Sequence, residues 1–244
     1  MTSSSHLASA PRTAVTPDET PLSPTPRTVV RRGKKRARRS REDLYAVLDA
    51  GFVCHLGVIV DGTPMVIPTL YGRLGETLYM HGSTGARSLR EAVDGEVCVT
   101  VTHVDGVVLA RSAFHHSINY RSAMIYGTAR IVEDRDEKLE GLRVLMEQLA
   151  PGRWDAVRRP TVKELAKTAV LAVSLAEASV KIRQGPPGEE EEDYALPIWA
   201  GVLPLHTRWR APVPDPLLSP GIEVPGHVAE RAHTTAFESP ALTE

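Results

Sequence analysis

Only two cysteines, Cys54 and Cys98, occur in the 244 residues, and they form no CxxC pair. Both sit in apolar, strand-like runs, which argues for buried thiols rather than a disulfide or a thiolate metal site and fits a reducing compartment. Net charge is nearly absent too: 29 basic against 30 acidic residues leave −1. The balance hides a basic run, RRGKKRARRSR at 31–41, and an acidic run, EEEEDY at 189–194. No aromatic residue interleaves with the basic run to stack on bases, so it reads as a solvated leader, with nucleic-acid attachment as the lesser alternative. No stretch approaches the roughly 20 apolar residues of a membrane span, and the N-terminal segment lacks a secretory apolar core. A soluble, cytoplasmic protein with no membrane partner is the expectation.

Proline is scarce where folding should be densest. Of 19 prolines, five lie between Pro11 and Pro26 and ten from Pro186 onward, leaving Pro64, Pro68, Pro151 and Pro160 between. This distribution predicts a disordered basic leader over 1–39, one folded domain over about 40–210 and a proline-rich flexible tail over 211–244. With 42% hydrophobic residues the domain can bury a sizeable core.

Within the domain, Ser40 and Asp43 open a short helix with Leu44, Val47 and Leu48 on one stripe. FVCHLGVIV and TPMVIPTLYG flank Asp61-Gly62, a hairpin dipeptide, and ETLYMHG follows the turn at Leu74-Gly75. A helix from near Thr84 precedes EVCVTVTHVDGVVLA, which alternates as one long strand or as a hairpin about Asp105-Gly106. YRSAMIYGTARIV is again strand-like. DRDEKLEGLRVLMEQLA is a helix with Leu139, Leu142, Leu145, Met146 and Leu149 on one stripe, ended by Pro151-Gly152. TVKELAK reads as a short helix, TAVLAVSL as a strand, ASVKIRQGPP as a connection and WAGVLPL as a last strand. Strands without helix-sized crossovers predict a mainly β (α+β) fold, a small antiparallel β-barrel with peripheral helices.

LYMHGSTGARSL at 78–89 passes from strand residues to small and hydroxylated ones and then to an arginine. Gly82 lets backbone approach closely, Ser83 and Thr84 offer hydroxyl donors, and Arg87 offers a charged fork, a combination suited to a phosphate. An ordinary capped turn is the alternative, because the lysine and spacing of a P-loop are missing. His55, His81, His103, His115 and His116 raise a metal or haem reading, yet no HxH or HExxH pattern joins them. RSAFHHSINYRS at 111–122 is the densest polar stretch inside the domain and is either a solvated loop or a site wall.

Taken in order, MVIPTLYG, LYMHGSTGARSL, AFHHSINYRSAMIYGTARIV and EDYALPIWAGVLPL resemble the pyridoxamine 5′-phosphate oxidase-like flavin-binding split barrels, in particular the flavin-nucleotide-binding and nitroimidazole-resistance branch. The resemblance runs from about residue 40 to 206 and implies a Greek-key-like split β-barrel and a homodimer with FMN at its interface. By position it implies that Ile67, Pro68 and Thr69 edge the isoalloxazine, that His81, Gly82, Ser83, Arg87 and Ser88 meet the phosphate, and that Asn119, Tyr120 and Arg121 reach the flavin across the dimer. Trp199 resembles a late tryptophan that packs near the flavin. MVIPTLYG carries no basic residue before Arg73, and LPLHTRWRAP offers Arg208 and Arg210 outside the oxidase pattern, which argues against vitamin B6 oxidation.

The implied function is an FMN-dependent oxidoreductase that draws on an unidentified reductant to reduce a small oxidised substrate, a nitro compound or quinone, with His81 as catalytic proton donor or substrate contact. The alternatives are a non-catalytic flavin store or sensor, a haem-binding barrel with His55, His81 or His115 as ligand, and a deazaflavin in place of FMN.

Overall fold

The computed structural model describes residues 21–22 and 24–233. Residues 1–20 of the expected leader and 234–244 of the tail lie outside the described residues. β1 (Ala37–Arg38) leads into α1 (Arg41–Asp49), which Ser40 caps by accepting a hydrogen bond from the Glu42 amide at 3.0 Å. β2 (Val53–Val60) and β3 (Thr63–Leu74) form a hairpin in register Val60↔Thr63, with Asp61 and Gly62 at φ 51° and 74° as the primed turn requires. β4 (Thr77–Ser83), α2 (Arg87–Ala92) and β5 (Glu96–Leu109) follow, then β6 (Ser117–Thr128) and β7 (Arg130–Ile131). α3 (Arg135–Leu149), α4 (Val162–Lys167), β8 (Thr168–Ser174), β9 (Glu177–Arg183), β10 (Gly201–Pro204) and α5 (Gly226–His233) complete the order.

The strands join antiparallel in the order β1-β9-β6-β5-β2-β3-β4-β8-β7, with β10 added to β5. β6 and β7 are consecutive in the chain, yet one pairs with β5 and β9 and the other with β8. The chain therefore crosses between the two halves there, which closes the sheet into a split barrel. Leu56, Tyr71, Met80, Val99, Ile125 and Leu171 fill its interior, and α1 contributes Leu44, Val47 and Leu48 to the same core. α3 packs outside, over Tyr79, Val170 and Ala172. At Gly72 a Cβ would come within 2.8 Å of the Val144 carbonyl oxygen and 2.9 Å of the Leu145 amide, so the helix backbone rests directly on β3.

Three details differ from the sequence reading, and one alternative it left open is decided. ASVKIRQ is not a connection: Ala178, Val180 and Ile182 point inward as β9 and pair with β6 from Tyr126↔Glu177 to Tyr120↔Arg183. Of the two alternatives left open for EVCVTVTHVDGVVLA, the structure takes the one long strand, with a bulge at Asp105-Gly106, because β6 pairs on both sides of it. α2 begins at Arg87 rather than Thr84, since the Ala86 amide bonds back to the Ser83 carbonyl in a tight turn. Part of the expected leader lies along the barrel: Leu22 is buried, Arg27 pairs with Glu96 and Glu177, and β1 adds to β9. At the other end, Trp209 stacks on Phe52, Arg231 of α5 sits over Trp209 and donates to the Leu149 carbonyl at 3.3 Å, and α5 rests on Gly152. No described helix is long and apolar enough to cross a membrane.

Candidate functional site

β4 positions the residues that the sequence singled out. Its alternation sends Leu78 and Met80 into the barrel and Tyr79 and His81 out toward the helices. Gly82 faces inward under α2, where a Cβ would collide with Leu89 Cδ1 at 2.3 Å. A side chain at this position would make Leu89 shift. In the turn that follows, Ser83 Oγ accepts from the Gly85 amide at 3.2 Å and the Thr84 amide donates to the Lys167 carbonyl at 3.1 Å. Arg87 reaches the hairpin turn and pairs with Asp61, both side chains more than half exposed. Such a pair is worth about 0–1 kcal/mol and yields readily to a better anion. Ser88 is half-buried behind it. A shallow cleft of about 330 Å³ beside the turn is lined by Ser83, Thr84 and Arg90 among others. Arg90 escaped the sequence reading, although its spacing of three from Arg87 was the available signal.

Ile67, Pro68 and Thr69 lie opposite Leu56, His55 and Cys54 on an open stretch of β3. On the outer face of this stretch, where Pro68 lies, the sheet is rich in uncovered apolar residues: Val53, Val66, Val107, Ile118 and Met124 are all exposed. The alternation of β6 splits the triplet Asn119, Tyr120 and Arg121. Asn119 and Arg121 point inward and are buried, while Tyr120 faces out and is half-buried. Two guanidinium nitrogens of Arg121 donate to Asp105 at 2.9 and 3.0 Å, and both side chains keep only 7% exposure. Asn119 donates to the Gly185 carbonyl at 3.2 Å and accepts from Arg183. Trp199 is 68% exposed and lies against Gly201 at the start of β10.

The acidic run is anchored at this same end. Glu189, with no side-chain exposure, accepts from the backbone amide of Arg111 and from its guanidinium at 2.6 Å, and the guanidinium lies over Tyr194.

The structure separates the histidines. His55 is exposed on β2, His103 bonds to the Val47 carbonyl at 2.9 Å, His116 bonds to the Ser112 carbonyl at 2.9 Å, and His115 lies 3.8 Å from Glu190. His81 opens on an apolar cleft of about 520 Å³ between α3 and the outer face of β3, β4 and β8. Its Nδ1 is buried without a hydrogen-bond partner, and burial lowers its pKa, which favours the neutral ring. The cleft walls include Leu142, Leu145, Met146 and Leu149 from the stripe of α3, together with Trp154. That stripe is the wall of a cleft as much as core. Among the described residues no three histidine, cysteine or carboxylate side chains come together to hold a bare metal ion.

The family model for pyridoxamine 5′-phosphate oxidase matches residues 40–182. Among solved structures, the chain is similar to the flavocytochrome Anf3 from Azotobacter vinelandii, at 40% identity over 86% of this chain and 99% of that one, with a TM-score of 0.83. It is also similar to the FAD and heme binding protein from Mycobacterium smegmatis, at 36% identity over 83% of this chain and 100% of that one, with a TM-score of 0.79. A likeness of fold extends to a putative 5-nitroimidazole antibiotic resistance protein from Bacteroides thetaiotaomicron, with 20% identity over 60% of this chain and 86% of that one and a TM-score of 0.52. A comparison with curated proteins finds no match.

Proposed function

Because the chain belongs to the pyridoxamine 5′-phosphate oxidase family, whose model spans more than half of it, we propose that it is a homodimeric flavoprotein oxidoreductase that also carries a haem. One observation carries this reading: a single strand, β4, leads from an unpartnered imidazole in an apolar cleft to a polar, arginine-flanked turn two residues on. One place suits an iron macrocycle and the other a flavin phosphate. The relatives at 40% and 36% identity support the pairing, since one is named a flavocytochrome and the other an FAD and heme binding protein.

A flavin supplies two-electron and a haem one-electron chemistry, and the chain's own part is to bind, orient and screen them. Ser83, Thr84, Arg87 and Arg90 surround the place for the phosphate, with Gly82 keeping the turn tight and Ser88 behind it. The open backbone of Ile67, Pro68 and Thr69 runs along the ring edge. Tyr120 and Trp199, on the uncovered side, are placed to touch the flavin or the second copy, whereas Asn119 and Arg121 hold β6 from within. The exposed apolar residues of β2, β3, β5 and β6 form the surface that a second copy covers. The flavin is FAD or FMN, and the electron acceptor is a small oxidised molecule of quinone or nitro type.

The test is titration of flavin-free protein with FAD and FMN, followed by anaerobic reduction and mixing with a quinone or nitro acceptor. Tight binding of one flavin and reoxidation by the acceptor are expected. Failure to bind either flavin would overturn the reading, and binding without reoxidation would reduce it to flavin storage.

A further inference from the structure

We infer that the cleft between α3 and the outer face of β3, β4 and β8 is the haem site of this chain, with a ring nitrogen of His81 as axial iron ligand. The inference rests on the proposed flavin and haem function and adds to it the place, the ligand and the separation from the flavin turn.

Three observations carry it. First, the cleft has the volume of a cofactor site, about 520 Å³, within the roughly 300–1,000 Å³ that bound organic cofactors occupy. Its walls are apolar, built from Leu70, Leu142, Leu145, Met146, Leu149 and Trp154. Second, His81 Nδ1 is buried there with no hydrogen-bond partner. A buried polar atom left without a partner is destabilising, and a ligand on the ring would account for it. Third, the described residues offer no cluster of three metal-binding side chains. A bare ion needs several protein ligands, so a lone imidazole in an apolar cleft suits a metal whose remaining in-plane ligands arrive with a macrocycle. Of the three histidines considered for haem, His55 is exposed on β2 and His115 lies 3.8 Å from Glu190, whereas His81 lines this cleft.

The charged groups of the cleft fit the same ligand. Arg158 and Glu164 line it as an ion pair at 2.6 Å, with the guanidinium 69% exposed. The bridge is two-pronged but exposed, so Arg158 can exchange Glu164 for the carboxylate edge of a haem, one carboxylate for another. Ser83, by contrast, lines the separate cleft beside the turn. Each cofactor therefore has its own walls while sharing β4, a geometry that brings them close without mixing their ligands.

The test compares the wild-type chain, His81→Ala and Leu142→Trp by titration with haemin and with iron-free protoporphyrin IX, with circular dichroism checking the fold. Wild type should bind both. His81→Ala should bind haemin at least about tenfold more weakly while its protoporphyrin affinity stays the same, and added imidazole should restore the wild-type Soret band. Leu142→Trp, which fills the cleft without touching the ligand, should block both porphyrins. Unchanged haemin binding and spectrum in His81→Ala would move the ligand elsewhere. An equal loss of both porphyrins would reduce His81 to a wall residue, and unimpeded binding to a folded Leu142→Trp would exclude the cleft. Wild-type protein that binds flavin but no haemin would overturn this inference and leave the flavin half of the function standing. Wild-type protein that binds neither would overturn both.

Discussion

Replacing Arg121 with Met separates a structural arginine from a flavin contact. Its guanidinium lies against Asp105 at the β5 bulge with two hydrogen bonds of 2.9 and 3.0 Å, and each side chain keeps 7% exposure. Removing the guanidinium leaves a buried carboxylate without its donors, which costs about 3–5 kcal/mol. That is a large share of the roughly 5–15 kcal/mol by which a domain is stable. In a domain of this size each kcal/mol moves Tm by about 2–4 °C, so a drop of roughly 6–20 °C is expected. A second change, Asp105→Leu, removes the stranded charge and should recover most of the loss. The assay is urea and thermal unfolding of the flavin-free protein, with flavin affinity measured on the same samples. An Arg121→Met protein as stable as wild type but poor in flavin affinity would refute the structural reading and return Arg121 to the cofactor.

Three further outcomes follow from the same contacts. Gly72→Ala places a methyl within 2.9 Å of the α3 backbone; the helix must lift, at a cost of about 1–3 kcal/mol in urea unfolding, and haemin affinity should fall with it. Unchanged unfolding would refute the tight seat. Burial lowers the pKa of His81, and of His103 despite its bond to Val47. The unfolded chain then binds protons that the fold does not as pH falls below the ordinary value of 6.5, so stability is fully present above that value and declines beneath it. His81→Ala should flatten part of that slope, and an unaltered slope would contradict the burial argument. Glu189→Gln weakens the charge-assisted hold on Arg111, and backbone amides over 186–200 should exchange with deuterium faster, with no change expected if the anchor is idle.

Much of the fold was legible because local chemistry and tertiary structure agree. Ser40, Asp61-Gly62 and the stripe of α3 each sit in the element their residue types predict. Disagreement arose where a long-range partner decided. Lys181 and Arg183 make β9 look like a polar connection, yet Ala178, Val180 and Ile182 supply the buried face that β6 needs. Asp105-Gly106 left a long strand and a hairpin both open, and pairing with β6 on both sides together with the ion pair to Arg121 decides for the strand, extended through a bulge. For the site, the sequence located the turn at Ser83–Arg87 but not the cleft. Trp154, Arg158 and Glu164 come to the same cleft as His81 only through the packing of α3 on β3 and β4 and of α4 on β8, a juxtaposition that no local spacing announces. The triplet Asn119, Tyr120 and Arg121 reads as one polar patch, and strand alternation divides it.

The most direct test of the central claim is the absorption spectrum of the purified full-length chain, with flavin and haem released and counted per chain. The account predicts flavin bands together with a Soret band, at one flavin and one haem per chain. A protein that holds neither chromophore and takes up neither from solution would contradict it.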